Sequence, residues 1–115
     1  MGTTVLDAGA SPSPNLYLYA HCLRNQPGGV ALLAINADRT ASRELDVPVK
    51  SERYTLTAND LLDNKVDLNG RELALRDNDA LPEIKGKVTK AGSVSLAPAS
   101  ITFLAMPSAG NAACR

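Results

Sequence analysis

Apolar and polar positions alternate most cleanly over Leu16–Cys22. Leu16, Leu18, Ala20 and Cys22 share one side, and Tyr17, Tyr19 and His21 share the other. A period of two is the signature of a strand, so the small apolar side faces a core and the ring-bearing side faces away from it. A turn at Arg24–Gly29 leads into Val30–Ile35, which is apolar at every position. Such an unbroken run predicts a central strand covered on both faces. The two strands are expected to pair as an antiparallel hairpin.

The rest of the chain repeats the theme in shorter pieces. Thr3–Leu6 is a short first strand or the exit of a preceding element, and Ala8–Pro14 is a Gly/Pro-broken loop. Ser42–Val47 alternates weakly and ends at Pro48, as an edge strand does. Arg53–Thr57 places Tyr54 and Leu56 on one face, and Asn59–Asn64 reads as a single helical turn or a loop with Asp60 as a cap. Val66–Leu75 carries Asn69-Gly70 between alternating apolar residues, the mark of a type I′ hairpin. Strands at Ser93–Leu96 and Ile101–Met106 close the pattern. Seven or eight short strands with frequent turns predict one all-β domain over residues 1–115, an antiparallel β-sandwich.

Composition narrows the function. Lys+Arg and Asp+Glu are 12 each, so the net charge is zero and the basic stripe of a nucleic-acid binder is missing. Aromatic residues are 3% with no Trp, which leaves little for a stacking platform that binds sugars. No apolar run reaches the roughly eighteen residues of a membrane span, so no insertion is expected. Met1-Gly2-Thr3-Thr4 lacks the basic and apolar parts of a signal peptide, so the chain is either not exported as it stands or a piece of something longer. The two cysteines, Cys22 and Cys114, are too few and too distant for a zinc site. They are either free buried thiols or one long-range disulfide; a cysteine next to the end of a chain has little reason to be buried alone.

Candidate chemistry is sparse. His21, the single histidine, reads as a strand residue at a surface or interface. Glu44, Glu52, Glu72 and Glu83 lie in turns or on polar strand faces, outside any recognisable acid/base motif. Asp77-Asn78-Asp79 lacks the glycine and terminal Glu of a calcium loop. Gly28-Gly29 has no phosphate-loop context. The three lysines of Lys85–Lys90 form a solvated loop able to touch an anionic polysaccharide. No catalytic residue, cofactor or metal site is expected.

Several of these stretches, taken in order, resemble the C-terminal β-sandwich domain of the heparanase-like glycoside hydrolases, family 79. Tyr19-Ala20-His21-Cys22 resembles that family's Tyr-x-His-Cys strand ending, Ala34-Ile35-Asn36 its Ala-Ile-Asn strand, and Leu68-Asn69-Gly70 its hairpin. Leu81-Pro82, Gly92-Ser93, Leu96-Ala97-Pro98 and Ala112-Ala113-Cys114 follow, and Gly2–Leu6 resembles the passage out of the catalytic barrel. The resemblance implies a Cys22–Cys114 disulfide. It also implies a parent enzyme that is a retaining endo- or exo-β-glucuronidase acting on heparan sulfate or related glycans. The glutamates of that chemistry lie on a (β/α)₈ barrel with no counterpart here.

A short Arg24–Gly28 turn and the lack of an Asn-x-Ser/Thr acceptor favour a bacterial relative, secreted or periplasmic in its full form. Two functions follow as expectations. One is a non-catalytic domain whose partner is the catalytic barrel, gripped through Tyr17, Tyr19 and His21, with glycan met only through the barrel. The alternative is a stand-alone module binding anionic glycan through the lysine loop and Tyr17/Tyr19.

Overall fold

The computed structural model describes residues 1–9, 14–60, 62, 64–80 and 82–115. Its regular structure is antiparallel β-sheet, with two 3₁₀ turns at Asp77–Asp79 and Ala112–Cys114. The all-β sandwich is therefore as expected, but with ten strands rather than seven or eight. They are β1 Val5–Leu6, β2 Leu16–Cys22, β3 Val30–Asn36, β4 Arg43–Val47, β5 Ser51–Thr57, β6 Asp67–Leu68, β7 Arg71–Glu72, β8 Lys87–Thr89, β9 Gly92–Leu96 and β10 Ser100–Met106. The surplus comes from very short strands, which carry too few residues to show a period.

Eight strands form one sheet in the order β1-β2-β3-β10-β5-β6-β7, with β8 beside the other end of β5; β4 and β9 form a second sheet of two. The expected β2–β3 hairpin is present, with Leu16 opposite Asn36 and Cys22 opposite Val30. Asn69 and Gly70 both have positive φ, 50° and 84°, as a type I′ turn requires. Its strands are shorter than the Val66–Leu75 pattern predicts, ending at Glu72. The expected flexible lysine loop is in part a strand: Lys87–Thr89 pairs with Ser51–Arg53. The loop Ala8–Pro14 lies in part, at Ala10–Ser13, outside the described residues, as do Leu61 and Asp63 of Asn59–Asn64 and Leu81 of Leu81-Pro82.

The pairing registers sort the large sheet into two faces. Leu16, Leu18, Ala20 and Cys22 of β2 align with Asn36, Ala34, Leu32 and Val30 of β3 and, across β3, with Ser100, Thr102, Leu104 and Met106 of β10. This inner face meets the small sheet, whose Leu45, Val47, Val94 and Leu96 fill the core against Leu16, Ala34, Leu104 and Met106. Asn36, 1% exposed, sits at the core's edge fully engaged. Its amide donates to the carbonyls of Ala41, Leu96 and Ala97, and its Oδ1 accepts from the Asp38 N–H. One side chain thereby ties the end of β3 to the end of β9, satisfying carbonyls that a buried turn would otherwise orphan.

Candidate functional site

The outer face of the large sheet is the part of this fold that stands out. Tyr17, Tyr19 and His21 lie there as expected, aligned with Ile35, Leu33 and Ala31 of β3. Next come Ile101, Phe103 and Ala105 of β10, then Leu56 and Tyr54 of β5. Leu68 of β6 sits opposite Leu56, and Val5 of β1 opposite His21. The surface is thus almost wholly apolar over six strands, a span of about 24 Å at the usual strand spacing.

Nothing in the described chain covers it as the small sheet covers the inner face. Tyr17 and Tyr19 are 49% and 50% exposed, Val5 71% and Ile101 40%. No residue of Val30–Ile35 is fully exposed on either face, as the unbroken apolar run predicts. Ala31 and Ala34 are buried and Val30, Leu32, Leu33 and Ile35 half-buried, and the inward Val30, Leu32 and Ala34 pack on the core shared with the small sheet. In one place the face dips into a groove of about 420 Å³. Ala31, Tyr54, Phe103 and Ala105 line it from the sheet, and Met1, Leu23, Leu73 and Ile84 line its rim.

Local chemistry holds the face in shape. His21 Nδ1 donates to the Gly2 carbonyl at 2.8 Å, fixing the tautomer and locking the first residues alongside β2. Gly2 N–H in turn donates to the Cys22 carbonyl at 2.7 Å. A Cβ at Gly2 would stand 2.6 Å from that same carbonyl oxygen, so only glycine fits. At the other side the Tyr54 hydroxyl donates to Glu52 at 3.1 Å. Partial burial, then the Glu52 carboxylate, pushes the Tyr54 phenol above its ordinary value of 10.0.

Cys22 and Cys114 are disulfide-bonded, with Cα atoms 5.4 Å apart. Beside the bond, Gly28 N–H donates to the Cys114 carbonyl at 2.8 Å, and Asn111 N–H to the Gly28 carbonyl at 2.9 Å. The last residues are thus stitched onto the β2–β3 turn. Gly28 holds this turn with a φ of 80°, a conformation that favours glycine.

The other candidates scatter. Glu44 accepts from Ser93 on the small sheet, Glu52 from Tyr54 on the outer face, and Glu83 pairs with Lys85 at 3.3 Å. Among the described residues no three His, Cys, Asp or Glu side chains converge on a point. Tyr17/Tyr19 and the lysine loop do not form one site, because β3, β10 and β5 lie between β2 and β8, about 19 Å of sheet. Composition and spacing missed one gathering: Arg71 and Arg76 share a cleft with Lys85 and Lys87. The positive-φ Asn69-Gly70 turn was its only sequence signal.

No family model matches the chain. Over 116 aligned residues it is 33% identical to baicalin-β-D-glucuronidase of Scutellaria baicalensis, covering 93% of this chain and 22% of that protein. The chain thus spans about a fifth of the length of that relative. Among solved structures, the GH51 α-L-arabinofuranosidase of Thermotoga petrophila RKU-1 superposes with a TM-score of 0.52 at 14% identity, covering 82% of this chain and 19% of the enzyme. The GH51 arabinofuranosidase of Xanthomonas axonopodis pv. citri gives 0.51 at 20%, covering 91% and 21%. A fold shared with a fifth of one kind of hydrolase, and a sequence shared with a fifth of another, make this chain a β-sandwich domain of the glycoside-hydrolase-associated kind.

Proposed function

We propose that this chain is the non-catalytic C-terminal domain of a heparanase-like, family 79 retaining β-glucuronidase, and that its outer face packs on and braces the catalytic (β/α)₈ barrel. The observation that carries the reading is the apolar outer face, over which no described strand packs. Soluble monomers rarely leave so large a continuous apolar patch in water, and patches of this kind mark protein interfaces. Length supports this occupant: the related β-glucuronidase has nearly four fifths of its sequence outside the matched region. Tyr17 and Tyr19 suit the rim of such a contact, each with an apolar body and a hydroxyl for the wet edge. The disulfide supports an oxidising compartment, secreted or periplasmic. The parent's substrate is a glucuronide within heparan sulfate or a related glycan, met through the barrel.

The test is co-purification and titration of the 115-residue chain with the barrel of its parent enzyme, with turnover of an aryl β-glucuronide as a second readout. The chain alone should turn over nothing. Tyr17→Ala with Tyr19→Ala should leave its melting temperature within a few degrees while weakening association at least tenfold, as loss of interface aromatics does. Equal destabilisation of the isolated chain and the assembled enzyme would show that the tyrosines serve only the domain's own packing. Turnover by the chain alone, lost on mutating one of its glutamates, would overturn the non-catalytic reading.

A further inference from the structure

A second cleft, of about 470 Å³, lies between the β6–β7 hairpin and the segment leading to β8. Asn69 builds it. Its Oδ1 accepts from the Thr55 N–H at 2.9 Å, and its Nδ2 donates to the carbonyls of Arg53 at 3.0 Å and Lys85 at 3.4 Å. That bracket holds hairpin, β5 and the 82–87 segment in fixed relation, although the segment has almost no ladder bonds of its own. It brings Arg71 and Arg76 into the same cleft as Lys85 and Lys87, four cations in a chain whose net charge is zero. Of these four, only Lys85 is ion-paired among the described residues, to Glu83; Arg71, Arg76 and Lys87 have no described carboxylate within bonding distance.

The lining has two further properties. Leu68, Leu73 and Pro82 give it apolar patches between the charges. Glu72 and Glu83 interrupt the positive field. Duplex nucleic acid carries about one negative charge per 1.7 Å, a density that the two carboxylates would oppose. A ligand with well-spaced carboxylates or sulfates on otherwise neutral rings fits better: anions meet the guanidinium and ammonium groups, and ring C–H faces meet Leu68, Leu73 and Pro82. We propose that this cleft binds a short segment of acidic polysaccharide. The inference goes beyond barrel docking and does not depend on it.

The experiment is ¹⁵N-resolved titration of the full chain with hexagalacturonate, which carries carboxylates only, and with a sulfated dextran, which carries sulfates only. Neutral dextran and a twelve-base-pair DNA duplex are the comparisons. Saturable shifts confined to residues 68–87 are expected with at least one acidic glycan, and which one responds identifies the anion. Arg71→Ala with Arg76→Ala should weaken binding about tenfold or more, since both are charge-assisted contacts. Removing equal charge far away, Arg39→Ala with Arg115→Ala, should change it less than twofold. Glu83→Gln, which frees Lys85, should tighten it. No saturable binding, shifts spread over the surface, equal losses in both double variants, or DNA binding as tightly as the glycan would each overturn the proposal.

Discussion

Replacing both cysteines, Cys22→Ala with Cys114→Ala, should cost the domain a large part of its stability. The bond joins residues 92 apart in sequence, so nearly the whole chain is one closed loop. In the chain-entropy model such a loop restricts the unfolded state by about 4.6 kcal/mol. That is a large share of the roughly 5–15 kcal/mol expected for a whole domain. With an unfolding entropy near 2.1 cal/mol/K per residue, it corresponds to a fall in melting temperature of roughly 15–20 °C.

The native contacts beside the bond point the same way. Without it, the backbone bonds between Gly28, Asn111 and Cys114 must hold this segment on the β2–β3 turn alone. Urea unfolding of the oxidised protein, the dithiothreitol-reduced protein and the double variant measures the effect. The denaturant slope separates its causes. An unfolded chain freed of its cross-link exposes more surface, so the variant should have the larger slope as well as the lower midpoint. A stability within about 1 kcal/mol of the oxidised protein would refute the loop-closure reasoning. Intact-mass detection of two free thiols in protein folded under oxidising conditions would remove its premise.

Two further outcomes concern the scaffold. Gly86→Ala would place a Cβ 2.7 Å from the Tyr54 ring and 2.9 Å from the Glu52 Cβ, so the ring must move. A loss of about 1–3 kcal/mol by chemical denaturation is expected, and an unchanged midpoint would show that the 82–87 segment yields freely. Asp38 accepts from the N–H groups of Thr40 and Ala41 and pairs with Arg43 at 2.7 Å, which holds its carboxyl below the ordinary 3.8. Because the folded value is the lower one, its contribution is present above the unfolded pKa and lost as pH falls through the folded value. The melting-temperature gap between wild type and Asp38→Asn should therefore be constant near neutrality and close as the pH drops below about 4; a gap that widens on acidification would contradict the assignment.

Local pattern made some of this legible and topology hid the rest. Leu16–Cys22 and the Asn69-Gly70 turn were readable because each is set by residues close in sequence: a period of two, and two positive-φ positions. The pairing of Arg43–Val47 with Gly92–Leu96 was not, since nothing within either strand names a partner about fifty residues away. β8 was missed for the same reason. Lys85–Lys90 looks like soluble surface until the end of β5 offers it an edge. The disulfide was open from the residues alone and came from the family resemblance. The basic cleft needed Asn69's reach across two segments, which no spacing encodes.

The proposed docking face runs through β3, whose unbroken apolar run predicts cover on both sides. A strand with water on one side alternates, whereas Val30–Ile35 does not; the pattern says both sides are covered. Within the described chain β4 and β9 cover the inner side, while no second sheet lies over the buried Ala31 and half-buried Leu33 and Ile35 on the outer side. Two causes could leave such a mismatch: apolar residues tolerated singly on a surface, or a cover that belongs to another part of the protein. The neighbours support the second. Ile101 and Phe103 on β10, Leu56 on β5 and Leu68 on β6 extend the same face in register, strand after strand. Scattered exposure would not align across the sheet, because each strand's side is set independently by its own period of two. We propose that this apolar surface, kept in register over six strands, is where a partner packs, and the unbroken apolar run of β3 is part of it.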